Sequence, residues 1–396
     1  MKKFSTLIIG GGPSGIVAAI SAKRVGQDVI ICERMPRIGR KILVSGNGRC
    51  NILNEKLNES FYNQTARNMV RSIFEKFGEI STYNFFKELG LEVYSRRDGR
   101  VFPITNQSSS VLKVLEMELE RLSVPVEVNF EVSRISYSKG RFVATSNGNK
   151  NIECEKLVIA GGGKSYPALG SDGNCYKLAK EFGHKIIEPV PAASPLLVKD
   201  RLCHALQGQK IFASAKSIVG GKEGYESYGD LLFTKYGLSG TAIIDISEDI
   251  SIAINRDNKK DVCVSIDMVP FMDRETLKSE IKRRIDKGWK ADDLLTGILP
   301  NKFGTAFNDL LGRRGAENII NTLKNRLFKV TGTRGWNEAY LTSGGIDTRD
   351  IKESTLESKL VTGLYFAGEI LDVSGRRGGY NLAWAWASGF VSGLTS

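Results

Sequence analysis

The chain has 396 residues, of which 41% are hydrophobic and 25% charged, and its formal net charge is +12. This balance is typical of a globular protein with two or three domains, and it excludes a disordered or fibrous chain. No segment reaches the roughly 20 consecutive apolar residues that span a bilayer, so we expect a cytoplasmic protein without membrane spans.

Six cysteines are scattered along the chain without a CxxC pair, and there are only two histidines, His184 and His204. Scattered cysteines are typical of reduced cytosolic thiols rather than of a dithiol redox centre or a zinc site. The scarcity of histidine argues against a His-rich metal site and against a Ser-His-Asp triad. We therefore expect no bound metal ion.

The chain opens on a strand, a glycine turn, a helix and a second strand. The strand Phe4–Ile9 leads into GGGPSG, a helical pattern runs to Gly26, and the strand Asp28–Cys32 ends at Glu33. This is the GxGxxG pattern in the setting that binds an adenine dinucleotide, with an acidic residue about 20 positions on. Glu33 would accept hydrogen bonds from the ribose and would repel a 2′-phosphate. The predicted contacts are Gly10, Gly12, Pro13, Ser14, Gly15, Glu33 and Arg34.

The first unit alone fits FAD or NAD, and the next segment favours FAD. In IGRKILVSGNGRCNILN, which covers Ile38–Asn54, a loop rich in glycine and asparagine interrupts the consecutive βα units of an NAD domain. Long loops in compact domains are usually functional, and this one has backbone N–H groups to offer a cofactor. A structural connection made of turns is the alternative. No second GxGxxG occurs, so a nicotinamide would dock only transiently.

The middle of the chain alternates helices and strands. Residues Gln64–Leu91 have a helical pattern, a further helix begins at Ser108–Ser110, and hairpin signals occur at Lys139-Gly140 and Asn147-Gly148. The run KLVIAGGG from Lys156 is a buried strand that ends in glycines, which places a backbone turn at a sheet edge beside the ligand. The residues of this turn are Ala160, Gly161 and Gly162.

A change of composition after PVPAASP marks a domain boundary. Short β-like runs follow from Leu196 to Val269, including KIFASAKSIV, AIIDIS and VCVSIDMV, and they predict an antiparallel barrel or sandwich. From Pro270 to Val330 the pattern turns helical, with Asp273 as a predicted N-cap. The predicted division is a Rossmann-like α/β FAD-binding domain at 1–190 and 331–396, a β-barrel-like domain at 191–269 and a small helical domain at 270–330.

The chain closes on a second glycine turn. In GLYFAGEILD the strand Gly363–Ala367 ends at Gly368 and Glu369, and Gly378-Gly379 opens a helix at Asn381–Gly389. FAD has two ends, and the opening unit holds only the adenosine and the pyrophosphate. Glu369 would accept hydrogen bonds from sugar or ribityl hydroxyls, and the helix N-terminus would face the pyrimidine edge of the flavin. The closing turn is therefore predicted to hold the flavin end.

These motifs together resemble the BaiN/YhiN-like NAD(P)/FAD-dependent oxidoreductases, a three-domain family of bacterial flavoproteins with an aminoacetone oxidase among its members. The resemblance covers the whole chain and is carried by GRKILVSGNGRCN, LLFTKYGLSG, TSGGI, LESKLVTGLYFAGEILDVSG and GGYNLAWAWASG. It implies a Rossmann-like FAD domain built from both chain ends, an inserted β-barrel-like domain and a helical domain. It also implies that the cofactor is lined by Lys41, Gly46, Asn47, Gly48, Arg49, Cys50, Asn51, Gly368, Glu369, Asp372, Gly378, Gly379, Tyr380 and Asn381.

The chain departs from this family at two positions. Lys235 stands where members commonly carry a histidine, and Arg377 stands where they carry a threonine before the final glycine pair. Arg376 and Arg377 would suit a carboxylate or phosphate on an acidic substrate, because arginine binds such groups bidentately. A solvent-facing turn is the alternative. The catalytic candidates are Tyr380, Arg377, Lys235 and Cys50, the last with a packing role as its alternative.

Three functions remain open. The first is an FAD-dependent reductase that takes electrons from NADH or NADPH to reduce an activated C=C bond in a small organic substrate. The second is an FAD oxidase of a small amine, aminoacetone-like, that produces hydrogen peroxide. The third is an RNA-modifying flavoprotein, which the net charge of +12 suggests.

Basic residues cluster at Arg96-Arg97, Lys282–Arg284, Arg313-Arg314 and Arg376-Arg377. A solvated basic surface explains such clusters, and anionic cofactors, an acidic substrate or RNA are the functional explanations. No aromatic RNA-binding motif interleaves with them, so a nucleic-acid partner is disfavoured. The oligomeric state and the identity of the substrate stay open.

Overall fold

The computed structural model of the chain describes residues 1–311 and 316–396. The Arg313-Arg314 pair therefore lies outside the described residues. The chain divides into two compact units, the first formed by Met1–Pro189 with Leu341–Ser396 and the second by Val190–Tyr340. Both ends of the chain thus belong to the first unit.

The described residues form the following strands and helices. The strands are β1 (Lys2–Ile9), β2 (Val29–Cys32), β3 (Leu53–Asn54), β4 (Val93–Ser95), β5 (Arg100–Pro103), β6 (Val126–Glu127), β7 (Val132–Ser138), β8 (Arg141–Ser146), β9 (Asn151–Ile159), β10 (Ile186–Ala192), β11 (Leu196–Val198), β12 (Lys210–Val219), β13 (Lys222–Thr234), β14 (Gly237–Ser239), β15 (Val262–Asp267), β16 (Arg326–Thr333), β17 (Leu341–Ile346) and β18 (Leu364–Phe366). The helices are α1 (Pro13–Arg24), α2 (Arg40–Val44), α3 (Arg67–Lys76), α4 (Glu79–Glu88), α5 (Ser108–Arg121), α6 (Asn174–Glu181), α7 (Arg201–Ala205), α8 (Thr241–Ser251), α9 (Arg274–Asp286), α10 (Lys302–Leu311), α11 (Ala316–Lys324) and α12 (Tyr380–Thr395). Among these described helices, none combines the length and the apolar composition that a bilayer crossing requires.

The first unit is organised around a sheet whose strands β6, β2, β1 and β9 run parallel in that order, with β18 also paired to β9. The registers align Ile9 with Cys32 on one side and with Ile159 on the other, and they align Ile159 with Phe366. The strands β7 and β8 extend the sheet as the predicted antiparallel hairpins. Because the parallel strands end level with one another, the turns that follow them gather at one edge of the sheet.

Helix α12 is anchored in the core of the first unit by two tryptophans. The indole N–H of Trp384 donates to the carbonyl oxygen of Gly368 at 3.1 Å. The indole N–H of Trp386 donates to the carbonyl oxygen of Ile52 at 3.0 Å. Both side chains are fully buried, and a buried indole needs such an acceptor. These tryptophans therefore hold α12 to the turn after β18 and to the residue before β3.

The second unit contains a closed barrel in the strand order β11-β14-β13-β12-β15-β16, and the predicted antiparallel barrel is confirmed. The strand β16 pairs with both β15 and β11 and so closes the barrel. It lies across the boundary that the sequence places between residues 330 and 331, because its pairing partners are barrel strands rather than strands of the first unit.

The AIIDIS run is a helix, and the prediction of a strand there is wrong. It lies in α8, which begins after Gly240, a glycine with a φ of 94°. The buried apolar residues of α8 are Ala242, Ile243, Ile246 and Ile250, so one face of the helix packs into the core of the second unit. A short apolar run does not by itself separate a buried strand from a buried helix.

The helices α9, α10 and α11 share one hydrophobic core with the barrel. Leu277 of α9 and Phe303 of α10 lie in the same buried cluster as Val264 of β15. The predicted N-cap of α9 is confirmed, since Oδ1 of Asp273 accepts a hydrogen bond from the N–H of Thr276 at 2.8 Å. These helices and the barrel belong to one compact unit. The predicted boundary between a β-barrel-like domain and a helical domain, at residues 269 and 270, stays a prediction.

Candidate functional site

The glycine turn between β1 and α1 is shaped by close packing. Gly10 has a φ of 105°, and a Cβ there would lie 2.5 Å from the carbonyl oxygen of Ala160. A Cβ at Gly15 would clash with the carbonyl oxygen of Gly10, whereas one at Gly12 would meet no atom within 4 Å. Packing therefore requires glycine at Gly10 and Gly15, and Gly12 leaves open space over the start of α1.

The start of α1 suits an anion. The helix begins at Pro13 without a capping side chain on the preceding residue, and its first turn holds no acidic residue. The positive end of the helix dipole is therefore not neutralised by its own first turn. A pyrophosphate fits such a helix start, so the residues present fit the dinucleotide that the sequence predicts.

The predicted ribose acceptor, Glu33, lies directly after β2. Its Oε2 accepts a hydrogen bond from the N–H of Gly11 at 2.7 Å, and its Oε1 accepts one from the N–H of Met35 at 2.8 Å. These backbone donors hold the carboxylate beside the glycine turn. Each oxygen keeps a second lone pair, so the geometry suits a ribose hydroxyl, and the contact itself stays a prediction.

Arg34, the neighbouring predicted contact, is held by acidic side chains. Its Nη1 lies 2.6 Å from Oδ1 of Asp172, and its Nε lies 3.7 Å from Oε1 of Glu131. The hydrogen bond to Asp172 raises the pKa of Arg34 above its ordinary value. A cofactor contact by Arg34 would share its guanidinium with these two acids.

The turn after β9 lies against the first glycine turn. The N–H of Ala160 donates to the carbonyl oxygen of Ile9, the last residue of β1, at 2.8 Å. Gly161 packs so closely on Cys175 that an added Cβ would clash with Sγ, and Gly162 has a φ of 75°. The structure thus brings the predicted turn to the same sheet edge as the GxGxxG turn.

The return of the chain meets the opening turn at the start of α1. Gly368 has a φ of 78°, and a Cβ there would clash with Oγ of Ser14. Oγ of Ser14 also donates to the carbonyl oxygen of Ala367 at 3.4 Å. The residues that follow β18 therefore lie directly beside the residues that begin α1, and the two chain ends form one site.

A polar cluster joins three of the turns at this edge. Nζ of Lys41 lies 2.6 Å from Oε2 of Glu369 and 2.8 Å from Oγ of Ser165. Oε1 of Glu369 accepts hydrogen bonds from Oγ of Ser165 at 3.0 Å and from the N–H of Thr342 at 2.8 Å. Both oxygens of Glu369 are thus bonded to protein donors. Its predicted hydrogen bond to a ribityl hydroxyl stays a prediction, and the geometry shows Glu369 holding Lys41.

The turn after α2 is exposed and has left-handed backbone. The φ angles of Gly46, Asn47 and Gly48 are 57°, 56° and 79°, in the region that glycine and asparagine tolerate best. The guanidinium carbon of Arg49 lies 5.5 Å from the ring centre of Phe102. Cofactor contacts by these residues stay predictions.

Cys50, by contrast, is fully buried, and burial raises the pKa of its thiol to about 12. A thiol that is neutral at neutral pH lacks the thiolate that nucleophilic cysteines use. The geometry therefore supports the packing role of Cys50 rather than a catalytic one. Within residues 1–311 and 316–396, no group of three or more His, Cys, Asp or Glu side chains is placed to hold a metal ion.

The loop before α12 is tied to the opening half of the unit. Nδ2 of Asn54 donates to the carbonyl oxygen of Gly378 at 3.0 Å. Gly379 has a φ of 106° and lies so close to β3 that a Cβ would come 2.5 Å from a backbone carbonyl oxygen. The side chain of Asn381 accepts from the N–H of Gly375 at 2.9 Å and donates to its carbonyl oxygen at 2.7 Å. This loop is therefore held in place by the protein itself.

Two further predicted contacts differ in how their oxygens are satisfied. Oδ1 of Asp372 accepts a hydrogen bond from the N–H of Gly344 at 3.1 Å. Oδ1 of Asn51 is buried and has no hydrogen-bond partner among the described residues, and it lies 3.0 Å from the position of a Cβ on Gly379. A buried acceptor without a protein donor fits a donor on a bound ligand. FAD carries such donors, so Asn51 fits the predicted cofactor.

The remaining catalytic candidates lie in both units. Tyr380 is buried against Phe61, with ring centres 4.8 Å apart, and burial raises the pKa of its phenol. Arg377 is half-buried in the loop before α12, and Lys235 is exposed in the turn between β13 and β14 of the second unit. A phenol carries a proton at neutral pH, so Tyr380 stays a candidate proton donor.

Sequence reasoning missed three side chains of this site, Ser165, Thr342 and Asn54. Ser165 comes shortly after the glycines that end β9, and Thr342 begins the TSGGI motif. Both residues therefore lie in or next to a motif that the sequence had already marked as part of the cofactor domain. Only the fold shows that their polar groups meet Glu369, because the contact joins segments far apart in the chain.

The chain matches the family model of the HI0933-like protein Rossmann domain over residues 4–395. It is 36% identical to the 3-dehydro-bile acid delta(4,6)-reductase of Clostridium scindens, over 98% of this chain and 97% of that protein. It is 30% identical to the ribosomal RNA dihydrouridine synthase of Escherichia coli K12, over 99% of this chain and 97% of that protein.

Solved structures share the fold at low sequence identity. The open conformation of a flavocytochrome c3 fumarate reductase aligns with a TM-score of 0.52 at 15% identity, covering 100% of this chain and 78% of that chain. The 3-ketosteroid-delta4-(5alpha)-dehydrogenase of Rhodococcus jostii RHA1 aligns with a TM-score of 0.50 at 14% identity, covering 100% and 96%. The resemblance carried by the sequence motifs is thus confirmed: the chain belongs to the HI0933-like family of FAD-dependent oxidoreductases.

Proposed function

We propose that this protein is a reductase that uses FAD, with NADH or NADPH as electron donor, to reduce a C=C bond activated by a neighbouring carbonyl group. The observation that carries the proposal is the contact of Gly368 with Ser14, which joins the two chain ends into one site. Such a site suits a cofactor with two ends, because the start of α1 fits a pyrophosphate and the loop before α12 offers contacts beyond it.

The named activities of the relatives support this type of reaction. One relative is a delta(4,6)-reductase of a 3-dehydro-bile acid, and the other is a dihydrouridine synthase. Dihydrouridine is uridine with one ring C=C bond reduced, so both reactions add a hydride and a proton across a C=C bond. We propose the same addition here, with a small organic molecule as the first candidate substrate.

The residues of the site would divide this work. Bound FAD, once reduced by NADH or NADPH, would supply the hydride. The start of α1 binds the pyrophosphate, and Glu33 orients the ribose. Lys41, held by Glu369 and Ser165, places a positive charge at the sheet edge. Tyr380 would give a proton to the substrate carbon, since a phenol is protonated at neutral pH.

An anaerobic titration of the purified protein tests this proposal. We expect the flavin absorption band to bleach with NADH or with NADPH, and to return when a 3-oxo steroid with conjugated C=C bonds is added. Each half-reaction transfers two electrons. One molecule of donor should therefore reduce one flavin, and the reduction of one C=C bond should reoxidise it. A band that neither donor bleaches would contradict the reductase. Peroxide formed with aminoacetone in air would instead support the oxidase that the family resemblance also allows.

The candidate substrate contact, Arg377, has its own test. If Arg377 binds a carboxylate or phosphate of the substrate, Arg377→Ala should raise KM for an acidic enone and leave KM for its ester unchanged. An equal KM for the acid in both proteins would exclude this contact.

Modification of RNA is the second candidate function. The expectation that nucleic acid is not a partner loses support, because two relatives, at 30% and 29% identity over almost the whole chain, are ribosomal RNA dihydrouridine synthases. The formal net charge of +12 is consistent with an RNA partner. Incubating the reduced protein with unmodified ribosomal RNA and measuring dihydrouridine by mass spectrometry distinguishes this function from the first.

A further inference from the structure

Three segments of the first unit bring basic side chains to one place, the arginine face. It is defined by Arg49, Lys56, Arg96, Arg97, Arg100, Arg376 and Arg377. Two of these residues follow α2 and β3, three lie on the hairpin of β4 and β5, and two lie in the loop before α12.

The hairpin lies against the segment that follows β3. The strands β3 and β5 pair with Asn54 opposite Arg100, and the N–H of Arg96 donates to the carbonyl oxygen of Arg100 at 2.9 Å. At the tip of the hairpin, a Cβ on Gly99 would lie 3.7 Å from Cγ of Lys56. The basic residues of these two segments are therefore neighbours in space.

The loop before α12 joins the same face. Nδ2 of Asn54 donates to the carbonyl oxygen of Gly378 at 3.0 Å, and a Cβ on Gly378 would lie 4.0 Å from Cδ of Arg100. The guanidinium of Arg376 lies 5.3 Å from the ring centre of Phe61, and Arg49 makes the corresponding contact with Phe102. Aromatic rings thus support guanidinium groups at two points of the face.

The arginine face is strongly positive. Its seven basic side chains lie within residues 44–56, 93–103 and 376–378. The same ranges hold two acidic residues, Glu55 and Asp98, so their net charge is +5. Asp98 is engaged within the face, because its Oδ2 lies 2.6 Å from Nη2 of Arg100, and this hydrogen bond lowers the pKa of Asp98. Arg49, Arg96, Arg97 and Arg376 are exposed.

We propose that the arginine face binds the phosphate backbone of single-stranded RNA. The proposal rests on the second candidate of the proposed function and adds the surface that would receive the RNA. Charge complementarity selects a polyanion, because several guanidinium groups spread over three segments match repeated phosphates better than one small anion. Arginine also binds phosphate oxygens bidentately and stacks on bases, and two of the guanidinium groups lie within 5.5 Å of an aromatic ring centre.

The test uses the FAD-loaded protein and a fluorescent oligouridylate as the probe. In the variant with Arg96→Gln and Arg97→Gln, two side chains outside the cofactor site lose their charge. We expect weaker binding and a plot of log affinity against log salt whose slope falls by about 1.4, at about 0.7 for each lost phosphate contact. The matched control carries Lys282→Gln and Lys287→Gln, which remove two exposed charges at the end of α9. The control should bind as the parent does.

Three outcomes would overturn the proposal. They are no binding of the oligouridylate by the parent protein, equal losses in the variant and the control, and tighter binding of phosphatidylserine vesicles than of RNA. The flavin absorbance of each protein shows that it is folded and loaded. Dihydrouridine formation is measured separately, so RNA binding without this product would remove the second candidate function and leave the binding face intact.

Discussion

At Gly10 and Gly12 the same substitution, glycine to alanine, meets two different environments. Gly10 has a φ of 105° and no room beside Ala160, so Gly10→Ala should lower the free energy of unfolding by about 3 kcal/mol. Gly12 has a φ of −80° and open space, so Gly12→Ala should cost less than about 1 kcal/mol. Its methyl group would occupy the approach of the pyrophosphate, and we expect FAD binding to weaken by at least about tenfold.

Urea unfolding of the two apoproteins and fluorescence titration with FAD separate these effects. Gly10→Ala serves as the structural control for Gly12→Ala. If Gly12→Ala keeps the affinity of the parent for FAD, the pyrophosphate does not approach the backbone at this residue.

The buried thiol of Cys50 predicts a pH dependence of stability. Burial raises its pKa from 9.0 to about 12, so the unfolded thiol ionises at a lower pH than the folded one. The stability it contributes is therefore fully present below about pH 9 and is lost as the pH rises toward 12. Between about pH 8 and about pH 10, this one thiol should account for about 1.4 kcal/mol of lost unfolding free energy.

Cys50→Ala should lack that share of the loss. Urea unfolding at both pH values gives the loss of unfolding free energy between them for the parent and for the variant. The difference between these two losses is the contribution of the thiol. The cost of the cavity left by the substitution is the same at both pH values and cancels. An identical pH-dependent loss in both proteins would show that the thiol ionises equally in the folded and unfolded states.

At the scale of elements, the ion pair of Lys41 and Glu369 joins α2 to the turn after β18. Both side chains are about a quarter exposed, so the pair is partly shielded from water. We expect Lys41→Met and Glu369→Gln to weaken FAD binding, with a coupling of about 1 kcal/mol in the double-mutant cycle, because each change leaves the other group without its partner.

The pair of Lys352 and Glu357, 2.7 Å apart in the same unit, provides the control. Lys352→Met removes one cation from an ion pair outside the candidate site, and FAD titration should show no change in affinity. A coupling energy near zero between Lys41 and Glu369 would mean that the two residues act independently on the cofactor.

Packing between elements also explains why the closing helix is rich in small residues. A Cβ on Gly389 would clash with the carbonyl oxygen of Ser14, and one on Gly393 with that of Ala18. The helices α1 and α12 therefore approach each other at backbone distance. The close approach joins the later half of α12, rather than the loop before it, to the start of α1, and it depends on glycine at two positions one turn apart.

At the scale of the whole molecule, FAD should stabilise the fold because its site is made from both chain ends. A ligand that binds only the folded state adds about 2.7 kcal/mol at a concentration of 100 times its Kd. We expect the Tm of the apoprotein to rise with added FAD, and to rise less with adenosine monophosphate, which lacks the flavin end. Calorimetry at several ligand concentrations measures both shifts. Equal Tm shifts with the two ligands would contradict a contribution of the flavin end to binding.

The sequence by itself determined the opening unit, the cofactor class and the family. The strand, GxGxxG turn, helix, second strand and Glu33 lie within a short stretch, and their order alone specifies a dinucleotide fold. The glycine pair that begins α12 and the alternating patterns of the barrel strands are local signals as well. Local spacing predicted these features because the backbone conformations involved depend on near neighbours.

Only the tertiary structure decided which distant groups meet and which apolar runs become helices. Ser165 lies 124 residues from Lys41 and 204 from Glu369, and no periodicity reports their contact. The AIIDIS run became a helix because its apolar face had the barrel core to pack against, and β16 joined the barrel because its partners lie there. Burial of Cys50 and the bonding of both oxygens of Glu369 follow from the same long-range packing, which a local pattern does not encode.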